Sequence, residues 1–262
     1  MGKSAQENLA DIEALLKKDT KMAFITAALG GGTGTGAAPV IAKLSKDMGI
    51  LTVGIVSVPA RFEGPKRLDQ ARRDYGKLKD HVDCLIVIDN EKIKSIYGSQ
   101  TISAAFAKAN DVLNIAAKGI AEIITLPGYI NVDFADVKTV MTDSGVAIMG
   151  AAQASGEDRA IRAITEALES PLLNNNDILG ARDILLNITS GTDEITMDEM
   201  SQITSHIIRK VGNNAAVIWG VGTDLNLGDA ISVTIIATGF PTGDVDVLDK
   251  EEVLIILLSR LS

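Results

Sequence analysis

The 262-residue sequence predicts an α/β protein: a parallel sheet covered by helices, joined by a long central helix to a smaller, mixed α+β domain. Three observations point there. Over residues 20–90, short β-branched apolar runs alternate with helical patterns. Residues 102–125 then form the longest helical pattern in the chain. After Pro127-Gly128 the strand signals come closer together and the βαβ rhythm thins out.

Ala5, Leu9, Ile12, Leu15 and Leu16 recur at helical spacing and predict an amphipathic helix over 3–17. Residues 22–29 are a short apolar run ending in glycines, read as a buried strand. Residues 39–48 read as a helix closed by Gly49, and 50–58 as a β-branched strand. A charged helix over 67–78 and an apolar strand over 82–88 complete a βαβαβ series. Such a series implies a parallel sheet with helices on both faces. Ligands of such sheets bind beyond the carboxyl ends of the strands. The glycine cluster after residue 29, the loop over 59–64 and Asn90 all fall there.

Alanine-rich and apolar on more than one face, the 102–125 helix is expected to be largely buried between two layers. Beyond it the patterns give a short loop, a helix near 133–142, a strand near 144–153 and a helix near 157–169. Strands near 183–189, 214–220 and 230–238 follow, with a helix near 197–210. Asn174-Asn175-Asn176-Asp177 and Ser190-Gly191 read as turns. The resulting division is 1–101 for the parallel-sheet domain, 102–127 for the central helix, 128–240 for the second domain and 241–262 for a tail. The tail's last half suits either an amphipathic helix or a strand, packing on the body or meeting a partner.

Composition narrows the chemistry. A net charge of −9 and the lack of a basic stripe with interleaved aromatics argue against nucleic acid. No run of 18 apolar residues suggests direct membrane insertion, and the charged start does not read as a signal peptide. The single cysteine, Cys84, lies in an apolar run and reads as a buried structural thiol in a reducing cytoplasm. His81 and His206 are isolated, so no transition-metal site is expected.

The strongest local signal is Gly30-Gly31-Gly32-Thr33-Gly34-Thr35-Gly36, between a strand and a helix. Glycines free the backbone for positive φ and for close approach to a ligand. Successive N–H groups can then form an anion-holding nest aimed with the next helix's N-terminus. The run is neither G-x-G-x-x-G nor G-x-x-x-x-G-K-[ST], and this spacing disfavours a dinucleotide-binding enzyme.

This glycine run with the following AAPV is similar to the phosphate-binding signature of the tubulin/FtsZ family. Asn131-Val132-Asp133-Phe134-Ala135-Asp136-Val137 resembles that family's catalytic loop. Glu63-Gly64-Pro65-Lys66-Arg67 resembles its ribose-side loop, with proline where lysine is more usual. The segments NEKI, AFAKANDVL, SGVAIMG, LLNITSG and ISVTIIATGF extend the likeness to Phe240.

The resemblance implies a GTP- and GDP-binding GTPase, with Mg²⁺ held through the nucleotide phosphates and water. Gly32, Thr33 and Gly34 would hold the β- and γ-phosphates, and Glu63 and Arg67 would meet the ribose and phosphate side. Asn90 and Asp111 would hydrogen-bond the guanine ring, on which Phe106 would stack. Taken alone, Phe106 reads as a core residue and Asp111 as a solvated helix charge. Asn131, Asp133 and Asp136 would act on the next subunit's nucleotide, so the hydrolytic site would be complete only in a head-to-tail filament. Taken alone, Asp133 also reads as a helix cap. Cytoplasmic assembly into the mid-cell division ring, with membrane-tethering and regulatory division proteins as partners, is implied as well.

On the family pattern, a strand, a second glycine-rich loop, a helix and further strands would precede residues 3–17. That piece, on the order of 50 residues or more given the size of a βαβ unit, is not in this sequence, and the nucleotide-binding domain is expected to be amino-terminally truncated. Roughly one wall of the phosphate and base site would go with it. The alternative reading is therefore a non-catalytic fragment that binds subunits and caps filaments.

Overall fold

The computed structural model describes residues 9–16, 19–125, 128–169, 178–212 and 214–240. Helix α1 (Leu9–Leu15) precedes three parallel strands, β1 (Met22–Ala28), β2 (Leu51–Val58) and β3 (Cys84–Asp89). Helices α2 (Thr33–Asp47) and α3 (Pro65–Lys79) make the crossovers between them. All eight residues of β2 are buried, as expected of a strand covered on both faces. Its period of two sorts them. Val56 and Val58 pack with Ala42 of α2 and with Ala71 and Leu78 of α3. Val53 and Ile55 face the opposite layer, which later elements supply.

Those later elements are α4 (Asn90–Tyr97), α5 (Ile102–Thr125), the short strand β4 (Gly128–Ile130) and α6 (Phe134–Met141). Ile120 of α5, with Val137 and Met141 of α6, seals that second face. Strand β5 (Gly145–Ala154) begins parallel to β3, pairing Cys84 with Gly145, and then runs antiparallel to β8 (Ile231–Thr238). Helix α7 (Arg159–Leu168), β6 (Asp183–Ser190), α8 (Met197–Val211) and β7 (Ala216–Thr223) complete the chain's second half. The result is one eight-stranded sheet in the order β1-β2-β3-β5-β8-β6-β7-β4. Helices α7 and α8 bury a separate core against β6 and β8, with Ile164, Ile184, Ile203 and Ile207 fully enclosed.

The structure corrects the sequence expectations at several points. Helix α2 starts at Thr33, not Pro39, so the second half of the glycine run is helical. Ala38 and Ala42 bury that helix against the sheet, which outweighs two helical glycines. The proline in its interior forgoes one backbone bond. Helix α5 is not largely buried: Ala116, Ile120 and Ile123 form one covered stripe, while Ile102 is 71% and Ile115 45% exposed. Its small residues serve close approach on one side, since a Cβ on Gly119 would stand 2.9 Å from Met149. Helix α4 and strand β4 were not expected as elements. The predicted turn over 174–177, the tail, and residues 3–8 and 17 of the predicted first helix lie outside the described residues.

Cys84 is fully buried, and desolvation pushes its thiol up to about 12. It is a packing residue, as the sequence suggested. Both histidines are half-buried.

Candidate functional site

Strand register brings one set of loops to a common edge. Ala28 pairs with Ser57 and Val58 with Asp89, so β1, β2 and β3 end nearly level. The glycine run, the 59–64 loop and Asn90 follow those three ends directly. Gly30 has φ +77, and a Cβ there would lie 2.5 Å from the Arg67 carbonyl oxygen. Its N–H donates to Asp74 Oδ2 at 3.3 Å, so the loop is pressed onto α3 through a residue that must be glycine. Gly32 differs: its φ is −85, and a Cβ there would meet nothing within 4 Å. As the N-cap of α2 it offers no side chain to the first turn. The leading N–H groups of that turn, at Thr33, Gly34 and Thr35, thus point outward with the positive end of the helix dipole. Gly36 closes the turn.

The neighbouring loop is held from within. Glu63, whose side chain is 8% exposed, pairs with Arg67 at 2.9 Å and accepts from the Ala60 N–H at 2.9 Å. The Arg67 side chain is 53% exposed, with its carbonyl oxygen and Cγ against Gly30, while Glu63 is committed to holding Arg67 and its own loop. Pro65 starts α3, and Gly64, with φ +98, makes the bend before it.

Asn90 opens α4, whose N-cap Asp89 accepts from the Glu91 N–H at 2.8 Å. Burial raises the Asp89 carboxyl above its ordinary value, against the lowering effect of that bond. The Asn90 Oδ1 atom is buried without a hydrogen-bond partner, a condition worth about 1–3 kcal/mol in lost solvation. It borders a cleft of about 110 Å³ that Phe62, Ile93, Tyr97 and Phe106 also line. An apolar slot with one buried acceptor suits a flat heterocycle carrying N–H donors. Asn90 and Phe106 are therefore brought together. Asp111, five residues further along α5, is exposed and does not line this cleft. Phe62, Ile93 and Tyr97 were missed from sequence. The signal was there, in Asp89 as a cap followed by Ile93 and Tyr97 four apart.

The acidic block lies elsewhere. Asp133 caps α6, accepting from the Ala135 N–H at 3.4 Å, and Asp136 Oδ2 accepts from the Asp133 N–H at 3.2 Å. Asn131 Oδ1 accepts from the Gly128 N–H at 2.8 Å. The capping role is thus present for both carboxylates, each through one oxygen. Phe134, between them, has Lys21 Nζ over its ring at 5.9 Å. Lys21 immediately precedes β1, so the start of α6 sits at the amino edge of the sheet. The glycine run sits at the carboxyl edge, past a seven-residue strand that spans roughly 20 Å. Within one chain the two sets do not meet. Among the described residues no group of three or more His, Cys, Asp or Glu could hold a metal ion, and no helix is long and apolar enough to cross a membrane.

Comparison with known proteins matches residues 1–98 to the tubulin/FtsZ family GTPase domain and 145–241 to the FtsZ family C-terminal domain. Among curated relatives, a cell division protein FtsZ from Porphyromonas gingivalis is 46% identical over 91% of this chain and 52% of its own length. One from Wigglesworthia glossinidia brevipalpis is 45% identical, over 62% of its length. The chain thus spans between half and two thirds of the curated relatives it matches. A solved FtsZ dimer from M. jannaschii superposes with a TM-score of 0.84 at 42% identity, over 91% of this chain and 68% of that one. CetZ1 from Haloferax volcanii, solved as a GDP-bound monomer, shares the fold at 19% identity, with a TM-score of 0.75 over 98% of this chain and 76% of that one.

Proposed function

The chain belongs to the tubulin/FtsZ family, and from that membership we propose that it binds and hydrolyses GTP, each copy's acidic loop acting on the nucleotide of the next. The observation that supports this reading is the separation just described: the glycine-run backbone at one edge of the sheet and the acidic loop at the other, fixed there by Lys21 and Phe134. A carboxylate that cannot reach its own chain's site can reach a neighbour's if copies stack head to tail. Such an interface is heterologous and generates open filaments.

The glycine run and the first turn of α2 would take the phosphates, with main-chain N–H groups and the helix dipole offsetting their charge. The open space above Gly32 is where a Cβ would otherwise intrude. Arg67 would meet the phosphate and ribose side, positioned by Glu63. The buried Asn90 acceptor and the Phe106 ring would take the base, with Asp111 accepting from its N–H groups. Mg²⁺, entering with the nucleotide on its phosphates, would neutralise charge there. Asp133 and Asp136 of the neighbouring copy would orient water for in-line attack on the γ-phosphorus. The bond to the β-phosphate oxygen breaks, and GDP and phosphate leave. Positioning supplies most of the acceleration in such a reaction.

The relatives' printed name gives cell division; we extend this to assembly into a division ring in the cytoplasm at mid-cell, with membrane-tethering and regulatory division proteins as further partners. The capping-fragment alternative requires a carboxyl edge that takes no nucleotide. The partnerless Asn90 oxygen speaks for a ligand there. Turnover per subunit as a function of protein concentration tests the proposal. A rate that climbs with concentration and then levels off supports it, and a rate independent of concentration refutes it.

A further inference from the structure

Arg159 is the most heavily bonded buried charge among the described residues, and the reaction above makes no use of it. It stands at the start of α7 with 6% of its side chain exposed. All five of its N–H groups are engaged. Nε and Nη2 grip both oxygens of Glu199 at 2.7 and 3.2 Å. Nη1 donates to the carbonyls of Asp193 and Asp229 at 3.1 and 2.7 Å, and Nη2 to that of Glu194 at 3.1 Å. Two successive carbonyls, 193 and 194, thus sit on one planar fork, which leaves the segment between β6 and α8 little freedom. Glu199 adds a second restraint by accepting from the Thr196 N–H at 2.9 Å.

That segment touches the acidic loop. Glu194 Oε1 accepts from Tyr129 Oη at 2.7 Å, and Tyr129 is the middle residue of β4, the strand that runs directly into Asn131. Pairing of β4 with β7 is irregular at this residue: Gly128 is opposite Gly222 and Ile130 opposite Val221. At such an irregularity the ladder is locally disrupted and a side chain is re-aimed. Gly128 lies so close to β7 that a Cβ would be 2.1 Å from the Val221 carbonyl oxygen, so one end of β4 is fixed by backbone packing. The Tyr129–Glu194 bond adds a side-chain restraint at the strand's middle residue, two positions before Asn131.

We propose that Arg159, Glu194 and Tyr129 act as a positioning relay for the acidic loop, the guanidinium fixing the 193–194 backbone and Glu194 holding Tyr129, so that Asn131, Asp133 and Asp136 are presented at a set angle to the neighbouring copy. None of the three touches substrate. The inference rests on the in-trans reading above.

Tyr129 is 71% exposed, so Tyr129→Phe should fold like the parent. GTP turnover, KM and the assembly threshold are measured for the parent, Tyr129→Phe, Glu194→Ala, Glu194→Gln and Asp136→Ala, with backbone amide exchange over 129–136. Losing one hydrogen bond should lower kcat roughly three- to tenfold in Tyr129→Phe, with KM and assembly threshold unchanged and faster exchange at 130–133. Glu194→Ala should match it, the double variant should be no worse than either single one, and Glu194→Gln, which keeps an acceptor, should restore the parent rate. Unchanged exchange in Tyr129→Phe overturns the relay, as does an unchanged kcat alongside an inactive Asp136→Ala. If Asp136→Ala retains full turnover, the in-trans reading falls instead, and the exchange result alone decides the relay.

Discussion

Lys21 Nζ stands 5.9 Å from the centre of the Phe134 ring, and this contact ties the acidic loop to the end of the sheet opposite the glycine run. Lys21 leads into β1, and Gly30 leaves it. Phe134 lies between the two acids of α6. A cation over an aromatic face contributes about 0.5–1 kcal/mol at an exposed site, so Lys21→Ala should loosen the start of α6 without unfolding the protein. Turnover should fall modestly, while nucleotide affinity, measured by fluorescence titration, should not change.

Asp133 separates capping from catalysis. Asparagine caps a helix about as well as aspartate but carries no negative charge. Asp133→Asn should keep the parent's melting temperature within a degree or two and still lose turnover, by on the order of tenfold or more. A parent-like rate with parent-like stability would leave Asp133 as a cap alone. Asp136→Ala should spare GTP binding while reducing turnover on the order of a hundredfold.

Two neighbouring glycines predict opposite outcomes. Gly30→Ala forces a methyl group onto the Arg67 carbonyl at 2.5 Å and holds alanine at φ +77, which should cost about 2 kcal/mol or more. Gly32→Ala has room and an ordinary φ, so denaturation curves should be unchanged. Its methyl group would nevertheless occupy the space assigned to phosphate, and GTP affinity should drop while stability does not.

The Arg159–Glu199 pair sets a pH dependence. The Arg159 hydrogen bond holds the Glu199 carboxyl below its ordinary value of 4.5. A carboxyl depressed in the folded state contributes its stabilisation in full above 4.5, and that contribution disappears as pH falls through the lower native value. Urea midpoints should therefore fall on acidification below about pH 4.5, and Glu199→Gln should flatten that part of the curve. Arg159→Ala leaves the Glu199 and Asp193 carboxylates and three carbonyls without their cationic partner and should cost about 3 kcal/mol at neutral pH.

Much of this was legible in the sequence because period and punctuation agreed. Residues 50–58 read as a β-branched strand, and the structure forms β2 over Leu51–Val58 with all eight residues buried. Helix α5 was found with its ends in place. Its degree of burial was overestimated because alanine signals close approach without saying on how many sides. The glycine run was misjudged in the other direction: glycine and proline read locally as loop, yet burial of Ala38 and Ala42 carries the helix back to Thr33. Helix α4 escaped notice because it is only eight residues long and its polar residues outnumber Ile93, Ile96 and Tyr97. The link between Tyr129 and Glu194 joins residues 65 positions apart and leaves no local pattern to read.

The central claim, that one copy supplies the phosphate cradle and the next the acids, is tested most directly by mixing two damaged chains. Gly32→Ala keeps its acids but should bind GTP poorly, and Asp136→Ala keeps its cradle but should not hydrolyse. Each alone should be nearly inactive. Equimolar mixing should restore a substantial fraction of parental turnover, because an intact cradle can then meet an intact acidic loop across an interface. Turnover in the mixture no higher than the sum of the separate variants would contradict the account.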